Sequence, residues 1–352
     1  MNPQPPSLVD VAREALVSTM TASRVLSGKS LVAEPTRQRV MEAVQKLGYL
    51  SDVFASSNAK KRSAKKIGAD IAVVARLSQL MDPLPFAFYS TIYFALQASL
   101  QRRRFHVHFF DVENDGEAFV SGFAPCEAVV VFGDPTPEAG EWIKRTSGER
   151  PLVNVAGTLE AEIRINPDTA EGGRLAAEYL AGLGHRRVAV LAEADSKSHT
   201  HERFQSFRSR FSAAEYTVDL VAFQPQPLTA DTDQNILTSW RNYVSKTPTL
   251  PTAVFCANGY STFVLYHELR RSGLRIPEDI GLLGYDALSF YDHLETPLSR
   301  IDFDVAALGE LAGDAAFERL QNGRPQPRKI LVPARLVKKS SVLPISDMPG
   351  VR

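Results

Sequence analysis

The hydrophobic positions of the chain follow one pattern up to about residue 48 and another pattern beyond residue 70. In the first region, apolar residues recur at helical spacing in three short segments. The helices predicted there are Leu8–Ala15, Val17–Gly28 and Pro35–Leu47. Helices of this length are marginally stable alone in water, so we expect the three to pack on one another.

The second of these segments has the features of a recognition helix. Ser18 is suited to cap its N-terminus, and Gly28 is suited to the left-handed conformation that ends a helix. Two short helices, a tight turn and a third, bracing helix predict a helix-turn-helix module over residues 1–48. The alternative interpretation is a small helical cap on an enzyme.

Beyond residue 70, short apolar runs alternate with helical patterns. The predicted strands are 71–75, 106–111, 128–133, 152–156, 188–192, 218–223, 253–257 and 281–285. The predicted helices are 86–104, 137–146, 168–183, 201–214, 235–246 and 261–271. This alternation indicates the α/β class with parallel, doubly wound sheets, and the length suits two of them. Ligands of such sheets bind at the carboxyl ends of the strands, so two facing sheets predict one shared cleft.

Charge is distributed unevenly along a chain whose 40 basic and 40 acidic residues give no net charge. Residues 1–66 carry a net charge of +6, and the remainder carries −6. A basic head on an acidic body is typical of a nucleic-acid-binding protein, which weakens the enzyme alternative. Met1–Asp10 has no apolar signal core, and no run is long enough to span a membrane. We therefore expect a cytoplasmic protein with two buried thiols, Cys126 and Cys256.

The head resembles that of the lactose/galactose-repressor (LacI/GalR) family. The matching motifs are Val9-Asp10-Val11-Ala12, Val17-Ser18, Ser23-Arg24-Val25-Leu26-Ser27-Gly28, Thr36-Arg37-Gln38-Arg39-Val40 and Leu47-Gly48-Tyr49. Similarity resumes in patches to about Val342. The resemblance implies a homodimeric transcriptional regulator, with lobes like those of periplasmic binding proteins, that binds double-stranded DNA under the control of a small ligand.

The resemblance also implies a domain organisation. Residues 49–66 match the hinge, and residues 67–345 match the ligand-binding and dimerisation core. Segments 299–303, 305–321, 328–332 and 335–338 resemble those by which the chain of this fold crosses between lobes. We expect the first lobe to comprise about 67–166 and 298–328, and the second about 167–297 and 329–345.

DNA contacts are expected from the second helix and from the hinge. Thr19, Met20 and Arg24 are expected to reach bases or adjacent phosphates, and Ser18, Thr21 and Ser23 to reach phosphates. In the hinge, Asn58 lies where the family carries an apolar wedge for the minor groove, and Lys60 and Lys61 follow it. The alternative for the hinge is a solvated linker.

Ligand contacts are expected in the second lobe. Arg203 lies in a segment similar to the family's Arg-x-x-Gly-Phe pattern, with Ser206 in place of the glycine. Asp286 follows a predicted strand, where its carboxylate is placed to accept hydroxyl groups. Asn258 resembles the asparagine of the family's Ala-Asn-Asp, although Gly259 replaces the aspartate. The alternatives are a surface arginine and an aspartate that makes a local turn.

The first lobe offers Phe88, Tyr89 and Asn166 as further ligand contacts. The two aromatic residues resemble the family's Asn-Pro-Phe-Phe region and are suited to stack on a sugar, or alternatively to fill the core. Asn166 either touches the ligand or caps the helix that follows it.

Other functional classes lack support in the sequence. The pairs His106/His108 and His199/His201 have no Cys or acidic cluster at metal-binding spacing, and no phosphate loop, dinucleotide fingerprint or catalytic motif is present. We expect a protein that is not an enzyme and has neither metal nor cofactor. A solute-binding protein of a transport system is the alternative from a different class. Arg203 with Asp286 indicates a sugar or sugar derivative as effector, and a nucleobase is the alternative.

Overall fold

The computed structural model of the protein describes residues 8–27, 33–47, 70–76, 83–112, 125–194, 198–211, 215–224, 230–322 and 327–349. Within these ranges the N-terminal helices and the α/β body form two separate compact units. No helix within these ranges has the length and apolar character required to cross a membrane.

The N-terminal unit contains the three predicted helices. They are α1 (Leu8–Glu14), α2 (Thr19–Ser27) and α3 (Glu34–Leu47). Ser18 is the N-cap of α2, because its Oγ accepts a hydrogen bond from the Thr21 N–H at 3.1 Å. Each helix buries one face in a shared core, formed by Val11, Ala12, Ala15, Ala22, Val25, Val40 and Ala43. The helix-turn-helix prediction is therefore confirmed.

The body contains two six-stranded sheets. The first sheet has the order β11-β5-β4-β3-β1-β2, and its strands are β1 (Asp70–Ala75), β2 (His106–Asp111), β3 (Cys126–Phe132), β4 (Leu152–Val155), β5 (Ile163–Pro167) and β11 (Arg328–Val332). The second has the order β12-β10-β9-β8-β6-β7, and its strands are β6 (Arg187–Glu193), β7 (Thr217–Phe223), β8 (Ala253–Cys256), β9 (Gly281–Tyr285), β10 (Ser299–Phe303) and β12 (Ala334–Val337). The pairing is parallel throughout except that β12 runs antiparallel to β10.

Helices cover the sheets, as the alternating pattern predicts. They are α4 (Pro83–Arg102), α5 (Pro137–Ser147), α6 (Thr169–Gly182), α7 (His199–Arg210), α8 (Ala230–Lys246), α9 (Gly259–Arg271) and α10 (Val305–Asn322). A short 3-10 helix spans Ser289–His293. Strands β4, β8 and β9 are buried along their whole length, because parallel sheets of this class have both faces covered.

Strand β5 is an element that the sequence analysis missed. Arg164 interrupts its two isoleucines, and Asn166-Pro167 has the character of a turn. The strand forms nevertheless because it has partners on both sides: Ile165 lies opposite Val155 of β4 and Ile330 of β11. Pairing in the sheet outweighs the weak local signal.

The strand pairing also corrects the expected lobe bounds. Strand β10 pairs with β9, so residues 299–303 belong to the second sheet, whereas β11 pairs with β5 and belongs to the first. Helix α10, between them, packs against α4 and the strands of the first sheet. The chain thus passes between the lobes after β5, after β10 and after β11. The sequence of a strand indicates its extended conformation but not the sheet it joins, which explains the difference.

Candidate functional site

The N-terminal unit presents its candidate DNA-contacting residues at the start of α2. Thr19 is exposed, and the Met20 side chain is 61 % exposed, which is unusual for a large apolar residue. The Ser18 hydroxyl, besides capping the helix, lies 2.9 Å from the Thr21 hydroxyl. The exposed side chains at this end are therefore free to meet a partner, while Ser18 holds the backbone in place.

Several predicted DNA contacts fall outside the described residues. Asn58, Lys60 and Lys61 of the hinge do so entirely. Ser23 and Arg24 lie within α2, but their side chains are not among those described.

In the second lobe, α7 positions Arg203 over the end of β9. The Arg203 side chain is 6 % exposed, and its Nη1 donates a hydrogen bond to the Ala257 carbonyl at 2.5 Å. Its guanidinium group lies 3.7 Å from the centre of the Tyr285 ring, a cation–π distance. The Nε atom is buried without a hydrogen-bond partner among the described residues. These contacts argue against the surface-arginine alternative.

Close packing of α6 on α7 explains how Arg203 is held there. A Cβ atom on Gly173 of α6 would lie 2.4 Å from the Arg203 carbonyl oxygen, so only glycine permits this approach. Ser206, which replaces the glycine of the family pattern, donates a hydrogen bond from its Oγ to the Ala170 carbonyl at 2.5 Å. The departure from the pattern thus adds a bond between the two helices.

Asn258 and Asp286 lie together at the N-terminus of α9. The Asn258 Oδ1 accepts a hydrogen bond from the Ser261 N–H at 2.7 Å, and the Asp286 Oδ2 accepts one from the Gly259 N–H at 2.7 Å. A Cβ on Gly259 would lie 3.0 Å from the Asp286 carboxylate and 2.7 Å from Leu288. The glycine at position 259 therefore makes room for Asp286 to cap α9.

The environment of Asp286 disfavours its negative charge. Burial raises the pKa of the carboxyl group, while the positive charge of Arg203 and the Gly259 N–H act in the opposite direction. Asp286 also has a positive φ of 73°, a conformation that aspartate and asparagine tolerate better than most residues. A ligand that donates hydroxyl hydrogen bonds to this carboxylate would favour its ionised form.

Aromatic side chains connect this edge of the second sheet to the first lobe. Phe88 on α4 makes edge-on ring contacts with Tyr89 at 5.0 Å and with Phe303, at the end of β10, at 6.1 Å. Tyr89 stacks on Phe132 at 6.5 Å, and Phe303 meets Tyr285 at 6.0 Å. The rings form a continuous path across the lobes that ends at Arg203.

Tyr89 marks where charges of both lobes converge. Burial raises the pKa of its phenol, and the negative charges of Asp134, Asp286 and Glu193 add to the effect, whereas the charge of Arg76 opposes it. Asp134 follows a strand of the first lobe, and Glu193 ends β6 of the second. Neither acid was predicted from the sequence, although Glu193 directly follows an apolar run and Asp134 follows one after a single glycine.

Asn166 does not cap the helix that follows it. It is the penultimate residue of β5 and is 3 % exposed, and its Nδ2 donates a hydrogen bond to the Gly157 carbonyl at 3.2 Å. Asp168 is the N-cap of α6, because its Oδ1 accepts a hydrogen bond from the Glu171 N–H at 3.0 Å. The Asn166 Oδ1 is buried without a partner among the described residues.

Comparison with protein-family models finds two matches. Residues 7–52 match the model for bacterial regulatory proteins of the lacI family, and residues 177–342 match the periplasmic binding protein-like domain. The first match contains the helix-turn-helix, and the second contains Arg203, Asn258 and Asp286.

Characterised proteins similar over nearly the whole length are transcriptional repressors. The HTH-type transcriptional repressor PurR of Vibrio vulnificus (strain CMCP6) is 27% identical over 350 residues, covering 97% of this chain and 99% of the relative. The ribose operon repressor of Haemophilus influenzae (strain ATCC 51907 / DSM 11121 / KW20 / Rd) is 25% identical over 348 residues, covering 96% and 98%. The lac repressor dimer bound to operator and the anti-inducer ONPF shares the fold, with a TM-score of 0.64 at 23% identity, covering 97% of this chain and 100% of that one.

The chain has a helix-turn-helix unit and a two-lobed body with polar side chains at the cleft edge. This combination defines the class of DNA-binding regulators whose core resembles a periplasmic binding protein. Within that class, the chain belongs to the LacI family of transcriptional repressors.

Proposed function

We propose that the protein binds a pseudo-palindromic operator as a homodimer and that a small effector in the cleft between its lobes controls this binding. The main support is that Asp286 of the second lobe, which lies near the positive charge of Arg203, also acts electrostatically on Tyr89 of the first lobe, in a chain that holds a helix-turn-helix. A dimer would place two copies of α2 in successive major grooves. The partner is DNA, so we place the protein in the cytoplasm and assign it no catalytic role.

On the DNA, we assign base contacts to the start of α2. Met20 is suited to an apolar contact such as the thymine methyl group, because its side chain is exposed. Thr19 and Arg24 are assigned to bases or adjacent phosphates, and Ser18, Thr21 and Ser23 to phosphates. Asn58, Lys60 and Lys61 supply the minor-groove and backbone contacts of the hinge.

In the cleft, we propose a sugar or sugar derivative as the effector. The unpaired Nε of Arg203 and the carboxylate of Asp286 offer a donor and acceptors to neighbouring hydroxyl groups. Asn166 and Asn258 add amide groups, and Phe88 and Tyr89 add ring faces. Among the relatives are a ribose operon repressor and a regulator, CelR, whose structure is of a cellobiose complex. The stacked pair of Tyr89 and Phe132 favours a nucleobase as the second candidate.

The effector would act by changing the lobe arrangement. A ligand that contacts Arg203 and Tyr89 at once binds one lobe arrangement more tightly than another, and it shifts the equilibrium by that difference. Because three chain segments connect the lobes, the motion is a hinge closure that is transmitted to the dimer and the DNA-binding heads.

Two measurements test the proposal. Binding to genomic operator fragments, selected with the full chain, should weaken steeply as salt increases, because phosphate contacts release counterions. A thermal-shift panel of ribose, glucose, cellobiose, adenine and hypoxanthine should then identify a compound that raises the melting temperature and changes operator affinity. Absence of salt-dependent DNA binding would refute the proposal that the protein is a DNA-binding regulator. A nucleobase hit with no sugar hit would select the second candidate.

A further inference from the structure

A cavity of about 320 Å³ lies where the chain connects the two lobes. Its walls come from both lobes. They include Phe88, Val305 and Ala306 of the first lobe and Leu288, Phe303 and Arg335 of the second. Two of the three connections between the lobes border it. Asp304 connects β10 to α10, and Arg335 lies just after the connection from β11 to β12.

The cavity is separated from the candidate effector site by a pair of rings. Phe88 and Phe303, whose centroids lie 6.1 Å apart, line it directly. Phe88 also contacts Tyr89 at 5.0 Å, and Phe303 contacts Tyr285, which lies against Arg203, at 6.0 Å. Arg203, Asn258 and Asp286 are absent from its walls. The two compartments therefore share a wall but not their polar groups.

The walls of the cavity combine apolar side chains with polar ones, and Arg335 is the cationic group among them. Asp304 is engaged, because its Oδ1 accepts a hydrogen bond from the Ala307 N–H at 3.0 Å and caps α10. The Arg335 side chain is 67 % exposed and forms a long ion pair with Asp302, with 3.6 Å between its Nη2 and the carboxylate, which is beyond hydrogen-bond distance. Arg335 thus keeps donors for a further acceptor.

We infer that this cavity is a second small-molecule site and that its ligand is a small aromatic or branched aliphatic carboxylate. The apolar part lies among Phe88, Leu288 and Phe303, and the carboxylate accepts charge-assisted hydrogen bonds from Arg335. The volume lies at the lower end of the range for ligand pockets, which limits the ligand to one ring or a short branched chain.

Binding there would be coupled to the effector site. The ligand contacts both lobes and fixes the positions of Phe88 and Phe303, the two rings of the shared wall. It therefore favours one arrangement of the lobes. By linkage, the effector and the carboxylate ligand must change each other's affinity for the protein by the same factor. This coupling rests on the proposed function, whereas binding of the carboxylate does not.

The test compares benzoate, benzyl alcohol and benzylamine by isothermal titration and ligand-observed NMR on the full chain. We expect millimolar or tighter binding of benzoate, weaker binding of benzyl alcohol and the weakest binding of benzylamine. Arg335→Gln should weaken benzoate about tenfold, the loss of one charge-assisted hydrogen bond, and leave benzyl alcohol unchanged. Arg328→Gln, on β11 of the first sheet, is the control and should have no effect. Ala306→Leu should fill the cavity and weaken all three compounds.

The effector-site variant Arg203→Ala separates this inference from the proposed function. Benzoate binding that survives Arg203→Ala but is weakened by Arg335→Gln supports the second site, even when no sugar or nucleobase binds the protein. Three results would overturn it: no benzoate binding at millimolar concentration, full benzoate affinity in Arg335→Gln, or loss of benzoate binding in Arg203→Ala. Equal binding of benzylamine would overturn the assignment of the carboxylate.

Discussion

Substitutions of Asp286 separate its structural role from its proposed ligand role. Asp286→Ala removes the acceptor of the Gly259 N–H, a hydrogen bond of 2.7 Å to a charged group. Such a bond contributes roughly 1.5–3 kcal/mol. Alanine at a φ of 73° adds about 1 kcal/mol of backbone strain. We therefore expect Asp286→Ala to lower the free energy of unfolding of the body by about 2.5–4 kcal/mol.

Asp286→Asn should cost much less stability. Asparagine tolerates the positive φ and keeps an oxygen that accepts the Gly259 N–H. It also removes a charge whose burial is unfavourable, as the raised pKa of this carboxyl shows. We expect a loss of at most about 1 kcal/mol, since a neutral hydrogen bond replaces a charged one. Effector binding should nevertheless fall, because asparagine accepts fewer hydroxyl hydrogen bonds than a carboxylate.

Urea unfolding followed by circular dichroism measures the stability of both variants, and thermal shift with the identified effector measures binding. Thr136→Ala is the control for the loss of a helix cap, because Thr136 caps α5 with its hydroxyl group and should lose about 1 kcal/mol without affecting the effector. Equal destabilisation of Asp286→Asn and Asp286→Ala would contradict the structural role assigned to this side chain. Full effector affinity in Asp286→Asn would remove this residue from the ligand site.

Four further predictions concern other parts of the chain. Arg24→Ala should weaken operator binding by about 1–3 kcal/mol and relax specificity at one base, leaving the body folded; unchanged affinity in gel shift excludes the contact. Arg203→Ala should abolish the effector response but leave effector-free operator binding intact, whereas Arg208→Ala, on the exposed face of α7, should change neither. Circular-permutation assays should show weak operator bending that increases in Asn58→Leu, because asparagine supplies no apolar wedge; strong wild-type bending that is lost in Phe54→Ala would contradict this and make Phe54, an apolar residue of the hinge, the wedge. Burial lowers the pKa of His185, so the unfolded state binds its proton more readily than the folded state does, and the free energy of unfolding should fall as the pH decreases below about 6.5. Urea unfolding at several pH values should show a smaller decrease in His185→Gln than in the wild type. Equal pH dependence of the two proteins would refute the role of His185.

Much of the fold follows from local sequence patterns. Helical spacing around Ala22 and Val25 and the cap at Ser18 predict the head, because capping and amphipathic burial act within one or two helical turns. Continuous apolar runs predict strands such as β8 and β9, because a strand buried on both faces carries no polar alternation. The residues Arg203 and Asp286 were found through a family motif and a strand end, which are also local signals.

Sheet membership was decided only by the tertiary structure. Strand β5 has a weak local signal and forms because β4 and β11 lie on either side of it. The exchange of β10 and β11 between the expected lobes has the same cause, since hydrogen bonds between strands join residues far apart in sequence.

The environment of the candidate site was likewise decided by tertiary contacts. The sequence gives no indication that Glu193 and Asp134 act on Tyr89, because their charges meet only when strand ends of two sheets are brought together. The glycine at position 259 departs from the family pattern, and the reason is visible only in the tertiary structure, where a Cβ would lie 3.0 Å from the Asp286 carboxylate and 2.7 Å from Leu288. Local spacing determines the helices and strands of this chain, whereas long-range packing determines which side chains meet and with what charge.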